Sequence, residues 1–178
     1  MEYLTVEQAK EASGLRLVLT RDVPGPWSEA AKAIFRLRGV EFQPVEQIGG
    51  RDNAALQTWT GHRNAPIALL DNEPPRVRWQ ELLDLAERLG SGPSLYPESI
   101  EDRIRMVGIS SEIANEGGLA WQARLLMLNM TYQSHGDVVF AKNPMFKDYG
   151  FSEAAVAAAV TRIESFLELL ARQIKSQQ

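Results

Sequence analysis

Two short segments carry the residue types and spacing that could do chemistry: Gly25-Pro26-Trp27-Ser28-Glu29, and Asn64-Ala65-Pro66-Ile67-Ala68-Leu69. Pro66 opens an apolar strand, a position where proline costs no ladder hydrogen bond and can take the cis bond. The backbone beside such a proline is left to pair with an extended peptide, a recognition device. The first segment begins an amphipathic helix, whose first turn offers N–H groups and a partial positive charge. Trp27 there is either a wall of a ligand cleft or a core anchor. Ser28 is at minimum an ordinary first-turn serine.

Other chemistries are excluded or poorly served. The chain of 178 residues has no cysteine, so it has no thiolate nucleophile, zinc-thiolate site, redox dithiol or disulfide of its own. His62 and His135 are far apart in sequence and lack neighbouring carboxylates, so no metal site is expected. Gly49-Gly50 and Gly117-Gly118 lack the strand-to-helix spacing of a phosphate cradle and read as turns. With 19 basic and 23 acidic residues the net charge is −4, which argues against nucleic acid or an anionic membrane as the main partner. Neither a secretory signal nor a long apolar run is evident, and the expected compartment is the cytoplasm.

The elements that must position these segments follow from periodicity. Leu15, Leu17 and Leu19 alternate with Arg16, Val18 and Thr20, a strand buried more on one face than the other. Trp27, Ala30, Ala31, Ile34, Phe35 and Leu37 form a helical stripe ended by Gly39. Val40, Phe42 and Val45 suggest a second strand, and Ala54 to Trp59 make one or two helical turns. Ile67 to Leu70 form a strand, Arg76-Val77-Arg78 returns as a short antiparallel one, and Trp79 to Leu89 are helical. Strand signals end at the Gly90-Ser91-Gly92-Pro93 linker, which gives an α/β domain over residues 1–90 and an all-α domain over 98–178. In the second domain, Ser99 with Asp102 resembles a capping box, and Ile104, Val107 and Ile113 continue that helix. Leu119 to Met130 form another helix, in which Trp121, Met127, Met130 and Tyr132 suit either a substrate pocket or core packing. The last helix starts from Ser152 as N-cap, with a seam of Val156, Val160, Ile163, Leu167, Leu170 and Ile174.

A βαβ unit, a proline-led ββα unit and a helical region together resemble the glutathione S-transferase superfamily, with its thioredoxin-like N-terminal domain and helical-bundle C-terminal domain. The likeness runs over roughly residues 13 to 130 and is carried by Gly25-Pro26-Trp27-Ser28-Glu29, Gly39-Val40-Glu41-Phe42 and Asn64-Ala65-Pro66-Ile67-Ala68-Leu69. It implies a cis Pro66, with the backbone of Ala65 bonding the cysteinyl part of glutathione. It also implies a thiol near Gly25, Trp27 and Ser28, an apolar electrophile held against the second domain, and a homodimer.

The departures from the family pattern are specific. The Cys or Ser that meets the glutathione sulfur falls on Gly25, which leaves Ser28 as the nearby hydroxyl and candidate catalytic residue, and the helix end as the other source of thiolate stabilisation. The Glu-Ser pair that holds the γ-glutamyl end falls on Arg78-Trp79. Arg78 can still grip a carboxylate, whereas Trp79 reads as packing. The family's later capping box has no counterpart before Gln178, as in a shortened member or an incomplete chain. The leading expectation is glutathione binding with conjugation of its thiol. The alternative is a non-catalytic relative that binds a ligand or protein, and a third use, isomerase- or dehalogenase-like, is neither supported nor excluded.

Overall fold

The computed structural model describes residues 2–175. The chain divides into two compact units, residues 1–100 and 101–178. In order, the first contains α1 (Val6–Glu11), β1 (Leu15–Thr20), α2 (Pro26–Leu37), β2 (Gln43–Gln47), α3 (Ala54–Thr60), β3 (Ile67–Leu70) and α4 (Trp79–Leu89). The second contains α5 (Ile100–Ala114, crossing the boundary by one residue), α6 (Leu119–His135), α7 (Asp137–Lys142), α8 (Met145–Asp148) and α9 (Glu153–Lys175).

β1 is the central strand of a three-stranded sheet in the order β2-β1-β3, parallel to β2 and antiparallel to β3. It is buried on both faces, not mainly on one. Leu15, Leu17 and Leu19 pack with Ala31 and Phe35 of α2 and Leu82, Leu85 and Ala86 of α4. Val18 on the other face joins Ala9, Val45, Leu56, Ile67 and Leu69. A strand enclosed by helices on both sides reads as a continuous apolar run. Arg16, on that second face, is only 4% exposed. Its guanidinium donates to the carbonyls of Ala12 and Asp71 and lies over the ring of Trp59, 5.9 Å from its centroid.

The return strand expected at Arg76-Val77-Arg78 is a single bridge between Ala68 and Arg76. Glu81 explains its shortness: its Oε2 accepts the N–H groups of both Val77 and Arg78 at 3.0 Å, capping α4 instead of extending the ladder. Those bonds hold the Glu81 carboxyl below its ordinary value, chiefly through the Arg78 N–H, with the Val77 N–H adding to it and burial opposing.

The junction after α4 is closed by Arg38, at the C-cap of α2 and 6% exposed. It donates to the carbonyls of Gly90 (2.8 Å) and Gly92 and approaches Glu87 at 3.3 Å. Glycine is required at position 92, since a Cβ there would lie 2.6 Å from the Leu37 carbonyl oxygen.

In the second unit α6 packs against α9. Ser152 Oγ accepts the Ala155 N–H at 3.1 Å, capping α9 as its position suggested. The seam differs from the expected one. Val156, Ile163 and Leu170 are half-buried, but Val160, Leu167 and Ile174 are exposed, and Ala159 and Phe166 take the inward positions. Trp121 packs on Tyr149, and Tyr132 joins Phe140, Phe146 and Phe151 in an aromatic cluster, while Met127 and Met130 are exposed. No described helix is long and apolar enough to cross a membrane.

Candidate functional site

The two chemistry-bearing segments meet at one end of the sheet. The carboxyl ends of the parallel strands β1 and β2 lie side by side, with Thr20 opposite Gln47. β3 runs the other way, its first residue Ile67 opposite Val18, so Pro66 and Ala65 arrive at that same end. The Ala65–Pro66 bond is cis. The N–H and C=O of Ala68 are both committed to Arg76, which leaves Ile67 and Leu69 as the residues of β3 that bond to β1. Ala65 lies past the last register pair and enters no backbone hydrogen bond among the described residues.

The first turn of α2 is brought to this end by Ser28. Its side chain is 3% exposed and its Oγ accepts the N–H of Thr20 at 3.3 Å, pinning the helix start to the tip of β1. Ser28 shares the buried stripe of α2 with Ala31 and Phe35, so its hydroxyl sits at the seam between helix and sheet. Gly25 is the N-cap and supplies no side-chain cap. Pro26 has no N–H, and the first N–H bonded within the helix is that of Glu29, to Gly25 O at 2.9 Å. The first-turn positions therefore precede the helix's own ladder, at the helix end where an anion is favoured. Trp27 beside them is half-buried.

Arg78 is exposed at the N-cap of α4, two residues beyond the Ala68–Arg76 bridge and toward the Pro66 end of β3. Trp79, which follows it, has an indole Nε1 that is buried without a partner among the described residues, in keeping with a packing role. Gly25, Trp27, Ser28, Ala65, Pro66 and Arg78 thus all belong to the first unit and gather around the strand ends.

Two further polar residues, not expected from the sequence, organise the loop before Pro66. Thr60, 6% exposed, places Oγ1 2.9 Å from the carbonyls of both Leu56 and His62, which share its single hydroxyl proton, and accepts the His62 N–H at 3.1 Å. Gln47, 3% exposed, donates through Nε2 to the carbonyls of Ile48 (3.1 Å) and Arg63 (3.3 Å). The available signal was a glutamine two residues after Val45, on the same buried face of β2. Among the described residues no group of three or more His, Asp or Glu side chains forms a cation site.

No protein-family model matches the chain, and no curated protein matches it in sequence. Solved structures do match. A glutathione S-transferase from Methylobacillus flagellatus with GSH bound superposes with a TM-score of 0.65 at 7% identity, over 91% of this chain and 71% of its own. A glutathione transferase family member from Pseudomonas fluorescens with bound glutathione gives 0.61 at 17% identity, over 88% and 70%. The Tau-class glutathione S-transferase of mango gives 0.55 at 19% identity over 88% of this chain, which spans 60% of the mango protein's length. At such identities the likeness is one of architecture: the chain has the glutathione S-transferase fold, a thioredoxin-like N-terminal unit followed by a helical one.

Proposed function

We propose that this chain binds glutathione at the carboxyl ends of β1 and β2 and conjugates its thiol to an apolar electrophile. The observation that carries the reading is the convergence of two sets of backbone groups, the first-turn N–H groups of α2 and the main chain of Ala65, at one end of the sheet. Structures of this fold solved with glutathione bound support it. In this reading Ala65 pairs with the cysteinyl backbone and the sulfur lies against the start of α2 beside Gly25 and Trp27. Arg78 receives a carboxylate of the tripeptide. The thiolate is stabilised by the helix end, and catalysis rests on that stabilisation and on holding two reactants together. Ser28, our candidate catalytic hydroxyl, acts mainly by fixing that helix end, because it is buried at the seam between α2 and the sheet and accepts the Thr20 N–H there.

A second reading, a non-catalytic binding module, is favoured by the N-cap of α2, which has no side chain, and by the family resemblance, which puts Trp79 in place of the hydroxyl that meets the γ-glutamyl end. Retention on immobilised glutathione followed by a turnover assay with a chloronitrobenzene separates the two. Retention with turnover supports conjugation, retention without turnover supports the binding module, and absence of both overturns the glutathione site.

A further inference from the structure

Gln47 is a buried residue whose main chain and side chain together tie the end of β2 to two other segments of the proposed site. Its backbone carbonyl accepts the Arg21 N–H at 2.9 Å, just past β1, and its residue pairs with Thr20 in the parallel ladder. Its carboxamide crosses to the loop before Pro66 and holds the Arg63 carbonyl. One residue earlier in that loop, the His62 carbonyl is held by Thr60. Two successive carbonyls are thus fixed by buried side chains, one from the end of β2 and one from the end of α3. Asn64 and Ala65, immediately downstream, inherit their placement from that double anchor.

Gln47 has a second property that a purely structural glutamine rarely has. Its Oε1 is buried and without a hydrogen-bond partner among the described residues. A buried amide that uses only its donor half is ordinarily disfavoured, because the orphan acceptor loses its hydration. An isosteric apolar side chain would remove that orphan but also take the donor from the Ile48 and Arg63 carbonyls, so the two effects on stability oppose each other. Of its two donors, one stays local on the Ile48 carbonyl and the other reaches across to Arg63, where its effect falls on the approach to Ala65.

We infer that Gln47 is a positioning residue for ligand binding, which acts through the Arg63 carbonyl to hold the Ala65 backbone where it meets the extended part of the ligand. The inference rests on the glutathione reading above for the identity of that ligand. Loss of the clamp should weaken binding without unfolding the chain.

The test uses the full-length protein and its Gln47→Leu and Gln47→Glu variants, with glutathione as the probe in calorimetric titration. Thermal melting and amide hydrogen exchange of the unliganded chains are measured alongside. Gln47→Leu should melt close to the native chain, weaken glutathione binding about three- to tenfold, and speed exchange at residues 61–65 while leaving β1 unchanged. Gln47→Glu, which turns an oxygen toward the Arg63 carbonyl, should weaken binding at least as much. Native affinity and native loop exchange in Gln47→Leu would overturn the inference. So would a loss of affinity matched by a general loss of protection, since that is the signature of a merely structural residue. Should Gln47→Leu fail to fold, the same affinity and exchange criteria apply to Gln47→Glu. If the native chain itself does not bind glutathione, the ligand reading fails and the ligand-positioning role with it; the loop exchange of the variants then reports separately on whether the clamp exists.

Discussion

On the proposed glutathione reading, Gly25 is the position where a single substitution separates an anion-binding scaffold from a dedicated thiol activator. It caps α2 at φ −65° and ψ 135°, extended backbone open to any residue, and a Cβ there would meet nothing within 4 Å. Gly25→Ser therefore fits without movement of the main chain, and a serine cap exceeds glycine by about a few tenths of a kcal/mol, so the melting point should hold or rise slightly. The chemical effect is larger. In the native chain the start of α2 contributes about 0.3–1 kcal/mol to a bound thiolate, less than about one pKa unit. A serine hydroxyl donating to sulfur adds a hydrogen bond to a charged group, about 1.5–3 kcal/mol, or about one to two units of pKa. The thiolate fraction then rises most steeply below neutrality, though each unit of lowered pKa also reduces intrinsic nucleophilicity about threefold. From these opposing effects, turnover at about pH 6 should increase roughly three- to sixfold while turnover at about pH 8 should fall roughly two- to fourfold. The assay is a titration of the thiolate ultraviolet absorbance of bound glutathione, paired with the pH profile of kcat/KM. An unchanged thiol pKa in a variant that still binds glutathione would refute the placement of the sulfur at the start of α2.

Four further substitutions test the scaffold. Arg38→Met removes the guanidinium that joins α2 to the Gly90 and Gly92 carbonyls and to Glu87, and should cost about 3–5 kcal/mol in urea unfolding; a loss below about 1 kcal/mol would show that the junction is held otherwise. Glu81→Gln tests the cap of α4. The folded carboxyl lies below its ordinary value of 4.5, so its stabilisation is present above that value and is lost as pH falls through the lower folded value; the variant should be less stable than native by about 1 kcal/mol at neutral pH, with the gap closing in acid. A gap that persists unchanged in acid would contradict the capping role. Phe166→Ala should cost about 3–5 kcal/mol and Leu167→Ala less than about 1 kcal/mol, because Phe166 is 6% and Leu167 51% exposed; the reverse order in denaturant melts would restore the heptad seam first expected.

Where periodicity and breakers agreed, the elements were legible: β1 spans Leu15–Thr20 as the alternation indicated, and α2 runs from Pro26 to the Gly39 stop. Burial was harder to read, because alternation loses its meaning in a strand covered on both faces, and Arg16 reads as solvent-facing until Trp59 and two carbonyls supply its partners. α1 carried a legible signal that periodicity alone passes over, the Thr5 and Gln8 capping box, in which each side chain accepts the other's backbone N–H. In α9 two apolar lines flank Val156, Ile163 and Leu170, one of Ala159 and Phe166 and the other of Val160, Leu167 and Ile174. Seven-residue spacing cannot choose between them; the neighbouring helix does.

The site was less legible than the fold because most of it is main chain. Every residue carries the same N–H and C=O, so composition cannot mark Ala65 or the start of α2 as a binding surface; only a break in the ladder exposes the first and a helix terminus the second. Proline was readable at both places because it lacks the N–H that would otherwise join the ladder or the helix. Ser28 shows the opposite case, a polar side chain whose type suggested chemistry while its spacing had already assigned it elsewhere. Residues 28, 31 and 35 share one helical face, the face that meets the sheet, so a hydroxyl at position 28 must find its partner at that seam, and it finds the Thr20 N–H. With that hydroxyl buried at the seam, the proposed glutathione reading assigns activation of the thiol to the backbone of the first turn, and stronger activation to a side chain introduced at position 25.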